Sequence, residues 1–472
     1  MSSTADSQRR AWHAELAWLP GRGVCPDVLI EADGDRFTAV TPEVRASDIE
    51  PELRPDLTRL AGLTLPGMAN GHSHAFHRAL RGVTEQSAGT FWDWRKRMYQ
   101  IADGLDPDSY QELARAVYAE MTLAGITCVG EFHYLHHGPG GIPYADPNEM
   151  GRALIAAAAQ AGIRITLLDT CYLAGGLSPD GRPEPLAGPQ LRFGDRDGEA
   201  WAARASALGA DEHGMLGPLA RVGTAIHSVR AVPLDQMHPV IAWAKHYGAP
   251  LHAHLSEQHA ENEASLAAYR QTPAEVLYDA GALGPRATMV HATHVTGRDV
   301  ELLGGSRVFA CLCPTTEADL ADGTGPARDL ADAGATLTLG SDSHAIIDLF
   351  EEARLIEYSE RIATGRRGHF RAGELARAAT TDGHASLGWP DAGEIAPGAI
   401  ADLVTVALAT SPRLAGATGK DALATVVFAG SAADVRNVVA GGEDLVRDGQ
   451  HLLVGDVPAA LAAALHRVPG QE

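Results

Sequence analysis

The stretch "GHSHAFH" places His72 and His74 two residues apart, just after an apolar run and a Pro-Gly pair. In an extended chain this spacing puts both imidazoles on one face, and imidazole is the commonest transition-metal ligand in proteins. The pair alone is weak evidence. The chain carries 21 histidines in 472 residues, so chance placement yields about one H-x-H pair. His252 and His254 make a second. More weight comes from two further runs, "APLHAHLSE" and "ATLTLGSDSH", which end near His254 and Asp342. His72, His74, His254 and Asp342 supply three imidazoles and one carboxylate. That set suits one divalent ion with a position left for water; Zn²⁺ is the expected ion, and Fe²⁺ shares the same ligands. His252 is read as a packed neighbour.

Two more residues could move protons beside such an ion. Glu257 follows His254 by three positions, so its carboxylate can turn back over the metal as a general acid and base. A surface Glu opening a helix is the plainer reading of it. His291 closes the run "ATMVH" and can hydrogen-bond the attacking water. Asp342 is both ligand and proton acceptor in this scheme. Cys311 and Cys313 are too close for a zinc C-x-x-C knuckle and read as strand packing.

The elements needed to bring these groups together are legible as eight apolar, β-branched runs: 63–74, 126–134, 163–172, 221–230, 249–257, 287–295, 307–314 and 335–344. Helical segments such as "SYQELARAVYAEMTLAG" and "NEMGRALIAAAAQAG" lie between most of them. Strand and helix in eightfold alternation predict an α/β fold, a (β/α)8 TIM-type barrel. Titratable residues gather where the runs end, which in such barrels is the active-site face. Both termini lack the barrel pattern. Residues 1–65 and 396–472 are expected to form one small β-sandwich domain, with the barrel spanning 66–395. In the C-terminal part, "GAIADLVTVAL", "ATVVFAG" and "VRNVVAGGEDLVRDGQHLL" read as short strands. "LSPDGRPEPLAGPQLRF" (177–193) reads as a long loop near the substrate.

Composition excludes several classes. The net charge is −22 with no basic stripe, which argues against a nucleic-acid binder. No apolar run reaches transmembrane length, and the opening residues lack the apolar core of a secretion signal. Five scattered cysteines are no disulfide framework and fit a reducing, cytoplasmic setting.

The set P-G-x-x-N-x-H-x-H, then H-x-x-E, then H, then S-D resembles the amidohydrolase superfamily over nearly the whole chain. Binuclear members carry a carboxylated Lys on the fourth strand. Here that strand ends "AIHSVR", and the three lysines, Lys96, Lys245 and Lys420, lie elsewhere; the resemblance therefore implies a single metal ion. H-x-x-E resembles the deaminase branch, which attacks a C=N carbon and expels ammonia.

More narrowly, "NGHSHAFHRALRG", "GTFWDWRKRMY", "GEFHYLHH", "AIHSVRAV", "HLSEQ", "CLCPTTEADLADG" and "GSDSHAIIDLFEEARLIEY" resemble the bacterial formimidoylglutamate deiminase family of histidine breakdown. The resemblance implies hydrolysis of N-formimino-L-glutamate to N-formyl-L-glutamate and ammonia. It also implies a dicarboxylate substrate held by His227, Arg230, Tyr134 and Arg95, and a homodimer. His77 stands where many members have Gln, so that contact departs from the family pattern. Trp92 and Trp94 read as walls of the core or pocket, and Glu131 as orienting a neighbour. The alternatives are a mononuclear deaminase of a purine, pterin or nucleoside ring, a triazine-type hydrolase, or a silent barrel serving as a binding module.

Overall fold

The computed structural model describes residues 9–49, 57–82, 91–178, 180–209 and 216–468. The Trp92 side chain lies outside the described residues. Eight strands make the first large sheet: Met68–Ser73, Ile126–His133, Arg164–Cys171, Ala220–Ile226, Leu251–Leu255, Ala287–His291, Phe309–Leu312 and Thr336–Leu339. Each pairs in parallel with the next. Every residue of Ile126–His133 and Arg164–Cys171 is buried, as expected when helices cover one face and the barrel interior the other. The intervening helices carry ordinary start signals. Pro107–Leu123, for example, is capped by Asp106, whose side chain accepts the Ser109 N–H, with proline in the first turn.

The ring closes between its first and eighth strands. Ser73 and Asp342 form a parallel bridge. The Asp342 N–H donates to the His72 carbonyl at 3.1 Å, and the His74 N–H to the Asp342 carbonyl at 3.3 Å. Gly340 permits this approach: a Cβ there would lie 2.7 Å from the His72 Cβ.

The second large sheet is drawn from both ends of the chain. Its order is Gln450–His451, Glu443–Arg447, Val435–Ala440, Leu403–Val406, Leu57–Pro66, Arg9–Leu19, Gly23–Asp33 and Arg36–Thr41. It is one hydrogen-bonded series that curls back on itself, for Phe37 N–H donates to the Ala399 carbonyl and Arg36 bridges Ile400. Trp12, Val28, Ile30, Phe37, Leu403 and Val439 fill the space within the curl.

The run read as one strand over 63–74 divides at Gly67. Its first half pairs with Leu403–Val406 in the small sheet, its second with Ile126–His133 in the barrel. A Cβ at Gly67 would meet the Thr127 side chain at 2.4 Å. Beside this crossing the buried Asp402 carboxylate accepts from Thr127 Oγ1, the Gly441 N–H and the Arg164 guanidinium.

One expectation is corrected. "ATVVFAG" is not a strand: all but its final Gly430 lie in the helix Ala422–Ala429, which packs on the helix Leu349–Thr364. Burial of Leu423, Val426 and Val427 on one side outweighs the β preference of its valines. Among the described residues no helix is long and apolar enough to cross a membrane.

Candidate metal centre and active site

The C-terminal ends of the barrel strands bring the expected ligands together. His72 and His74 come from the first strand end, His254 from the fifth and Asp342 from just beyond the eighth. His72 Nε2 lies 3.1 Å from His254 Nε2 and 3.3 Å from Asp342 Oδ1. His74 Nε2 lies 3.5 Å from the same oxygen. Two donor groups, each with its ligating atoms within 4.8 Å of one another, share His72: one with His74 and Asp342, the other with His254 and His291.

The donor chemistry fits a cation. His74 Nδ1 donates to the Phe132 carbonyl at 2.9 Å and His254 Nδ1 to the His227 carbonyl at 3.0 Å. Those bonds fix the tautomers and leave the Nε2 lone pairs facing inward, the arrangement ligating histidines need. Burial holds all three imidazoles neutral, with His74 pulled down to about 3. Burial would raise the Asp342 carboxyl, but hydrogen bonding from His72 and the nearby His291 and His74 hold it below the usual carboxylate range. Converging lone pairs and one carboxylate call for a positive charge between them.

Three strand-to-loop junctions at this face have left-handed backbone at non-glycine residues: Ser256 (φ 50°), His291 (φ 71°) and Asp342 (φ 41°). Such strain costs on the order of 1–3 kcal/mol per residue and persists where the surroundings enforce it. Here it turns the chain sharply as each strand leaves the barrel.

His291 sits among carboxylates. Its Nε2 is 3.7 Å from Glu257 Oε1 and 3.9 Å from Asp342 Oδ2, and its Nδ1 is 3.4 Å from Glu317 Oε1. Burial would lower its pKa, yet Glu257, Glu317 and Asp342 raise it well above the ordinary value. Burial raises the Glu257 carboxyl, and His291 opposes the rise. The Glu257 N–H donates to Glu261 Oε2, and the same oxygen lies 3.9 Å from Arg230 Nε. Glu261 therefore joins Glu257 to a neighbouring cation.

A pocket opens over this centre. His74, His254, Glu257, His291 and Asp342 form one side; His77, Arg95, Tyr134, His227 and Arg230 also line it. His77 Nε2 is 3.1 Å from the Tyr134 hydroxyl. His252 lies off this site, its Nε2 donating to the Ser386 carbonyl. Trp94 lines the cavity.

Several residues at the site had no part in the expected set. Glu131 is fully buried and accepts from Ser73 Oγ at 2.6 Å and the Ala75 N–H at 2.7 Å. It thus holds the Ser73 side chain and the Ala75 backbone on either side of His74. Burial lifts its carboxyl to about 7, against those hydrogen bonds. Asn70 and Ser341 exchange two hydrogen bonds, and His344 spans Ser341 and Ser73. Tyr99, Tyr172 and Phe193 line the cavity. Cys313 lies within 4.8 Å of donor atoms on His291 and Asp342. Tyr172 closes the third apolar run, and that position was its one sequence signal.

The description "Amidohydrolase family" matches residues 63–445. This chain belongs to the amidohydrolase family. It is 37% identical over 428 residues to the formimidoylglutamate deiminase of Pseudomonas aeruginosa, covering 87% of this chain and 91% of that one. It is 27% identical to a 5-methylthioadenosine/S-adenosylhomocysteine deaminase of Natronomonas pharaonis, over 82% of each chain. An amidohydrolase structure from Brucella melitensis superposes with a TM-score of 0.87 at 33% identity, covering 97% of this chain and 99% of that one. At that coverage the Brucella amidohydrolase structure matches barrel and small sheet alike.

Proposed function

We propose that this protein hydrolyses N-formimino-L-glutamate to N-formyl-L-glutamate and ammonia. One observation carries the reading: a single buried cavity holds a metal-type donor set together with two guanidinium groups, Arg95 and Arg230. Two carboxylates on a short linear substrate need such cations, and arginine pairs with carboxylate in bidentate fashion. The 37% identity to a formimidoylglutamate deiminase supports the same substrate.

His72, His74, His254 and Asp342 would hold one divalent ion, which we read as Zn²⁺. When bound, the ion supplies Lewis-acid polarisation of water. The protein's own groups do the rest. Asp342 accepts a proton from the attacking water as its oxygen bonds to the formimino carbon. Glu257 delivers a proton to the imino nitrogen, and His291 hydrogen-bonds the oxygen as charge develops there. Glu257 then takes the remaining proton from the hydroxyl on the tetrahedral carbon and passes it to the same nitrogen, so that this C–N bond breaks, the formyl C=O forms and ammonia leaves. Arg95, Tyr134, His227, Arg230 and His77 hold the substrate's carboxylate-bearing end.

The reading extends to a place in histidine breakdown, a cytoplasmic location and a homodimer, the commonest symmetric assembly. It also divides the chain into a barrel over 66–395 and a small β domain from 1–65 and 396–472. Ammonia release from N-formimino-L-glutamate, beside purines, pterins and nucleosides, tests it. Turnover of the linear substrate alone is expected. Turnover of a ring substrate instead would keep the metal site and discard the carboxylate anchors.

A further inference from the structure

At the rim of the cavity, Arg95 and Gln190 compete for the same three acceptors. Arg95 Nε donates to the Tyr99 hydroxyl oxygen at 2.5 Å, and its NH2 group reaches the Tyr172 hydroxyl at 3.4 Å and the Gly175 carbonyl at 3.2 Å. Gln190 Nε2 reaches the same Tyr99 oxygen at 3.0 Å, the Tyr172 oxygen at 3.2 Å and the Gly175 carbonyl at 3.2 Å. A carbonyl or hydroxyl oxygen has two lone pairs. Gln190 has two N–H groups for these three oxygens; directed at Gly175 and Tyr99, where Arg95 already donates once each, they fill both acceptors. Tyr99 is in turn hydrogen-bonded to Tyr172, so its proton goes to the Tyr172 oxygen.

That arrangement leaves one proton over. Among the described residues, the Tyr172 O–H is surrounded by donors and by acceptors already saturated. Tyr172 is buried, lines the cavity, and packs edge-on against His227 with ring centroids 4.3 Å apart. The cavity is the direction in which its proton finds an acceptor.

We infer that the Tyr172 hydroxyl donates to a substrate carboxylate beside Arg95, and that Gln190 is a positioning residue that orients both. Gln190 belongs to the long segment after the third barrel strand, so this segment sets the anion end of the site. Its side chain also accepts the Ala187 N–H at 3.2 Å, which fixes the amide's orientation. The inference rests on the dicarboxylate reading above.

The test compares wild type, Tyr172→Phe and Gln190→Leu with three substrates. These are N-formimino-L-glutamate and two analogues that each lack one carboxylate, the N-formimino derivatives of 4-aminobutyrate and 2-aminobutyrate. Tyr172→Phe is expected to raise KM for N-formimino-L-glutamate by about tenfold to a hundredfold, the size of one lost hydrogen bond to a charged group, with kcat little changed. The rise should disappear for one analogue, the one lacking the carboxylate that Tyr172 reads. Gln190→Leu should shift KM in the same direction by a smaller factor. Metal content and the thermal midpoint, measured on each variant, separate these effects from misfolding. An unchanged KM in Tyr172→Phe with normal wild-type turnover overturns this inference alone. An equal KM rise for all three substrates also overturns it, since general loosening of the pocket would do that. Absence of wild-type turnover overturns the proposed substrate and this inference together.

Discussion

Replacing Glu257 by Gln removes a proton carrier and almost nothing else. The side chain keeps its shape, and the backbone N–H that binds Glu261 Oε2 is untouched. Glu257 belongs to none of the donor groups that could hold the ion, so the metal should stay. What disappears is the carboxyl that faces His291 Nε2 at 3.7 Å and lines the cavity. General acid–base catalysis contributes typically 10²–10⁴-fold. At 1.36 kcal/mol per factor of ten, the barrier should rise by about 2.7–5.4 kcal/mol. The assay is ammonia release from N-formimino-L-glutamate at saturating substrate, with metal measured on the same sample. The expected result is kcat down at least a hundredfold, KM within a few-fold and metal content equal to wild type. Activity within a few-fold of wild type would refute the proton role. Metal lost in step with activity would refute the claim that Glu257 acts apart from the ligand set.

Chelation should abolish ammonia release, and Zn²⁺ should restore it, because the inward Nε2 lone pairs have no other function in this geometry; activity that survives exhaustive chelation would contradict this. Glu131→Gln should weaken metal affinity by about 10–100-fold, since the carboxylate braces Ser73 and Ala75 on either side of His74; a metal titration against a competing chelator reads this. Folding stability should fall as pH drops below about 6.5. Burial lowers His136 to about 4, and His252 and His384 to about 3, so the unfolded chain binds protons before the folded one does. Each group's contribution is complete above the unfolded value and is lost toward the folded value, by about 1.4 kcal/mol per pH unit. Urea midpoints at pH 7.5 and 5.5 check the sign.

The barrel was legible because its strands announce themselves twice, by β-branched apolar runs and by a polar residue where each run stops. Tyr134, Tyr172 and His291 sit at such ends, and so do His72 and His254. The small sheet was less legible. Its strand Leu57–Pro66 runs into Met68–Ser73 with only Gly67 between them, and an apolar pattern carries no mark of which sheet it will join. "ATVVFAG" misled for a related reason: a short apolar run with adjacent buried valines, Val426 and Val427, looks alike on a short helix and on a short strand.

The residues that converge at the candidate site were legible; of the side chains that brace them only Glu131 was read as orienting a neighbour, and the difference is physical. Ligands must be a few residue types at strand ends, so type and position together narrow them down. Supporting residues need only reach a backbone group or a neighbouring side chain, and which one they reach depends on strand pairing and ring closure. Glu131 carries no mark in "GEFHY" of which neighbour it orients until the second strand pairs with the first and sets it opposite Ser73. His344 becomes a bridge only when Ser341 and Ser73, 268 positions apart in sequence, meet at the seam where the barrel closes. The seam is also where His72, His74 and Asp342 converge. Closing the barrel and assembling the candidate metal centre are thus one event, and substitutions at Asn70 or Ser341, whose side chains bond to each other, Met121 and His344, should disturb both together.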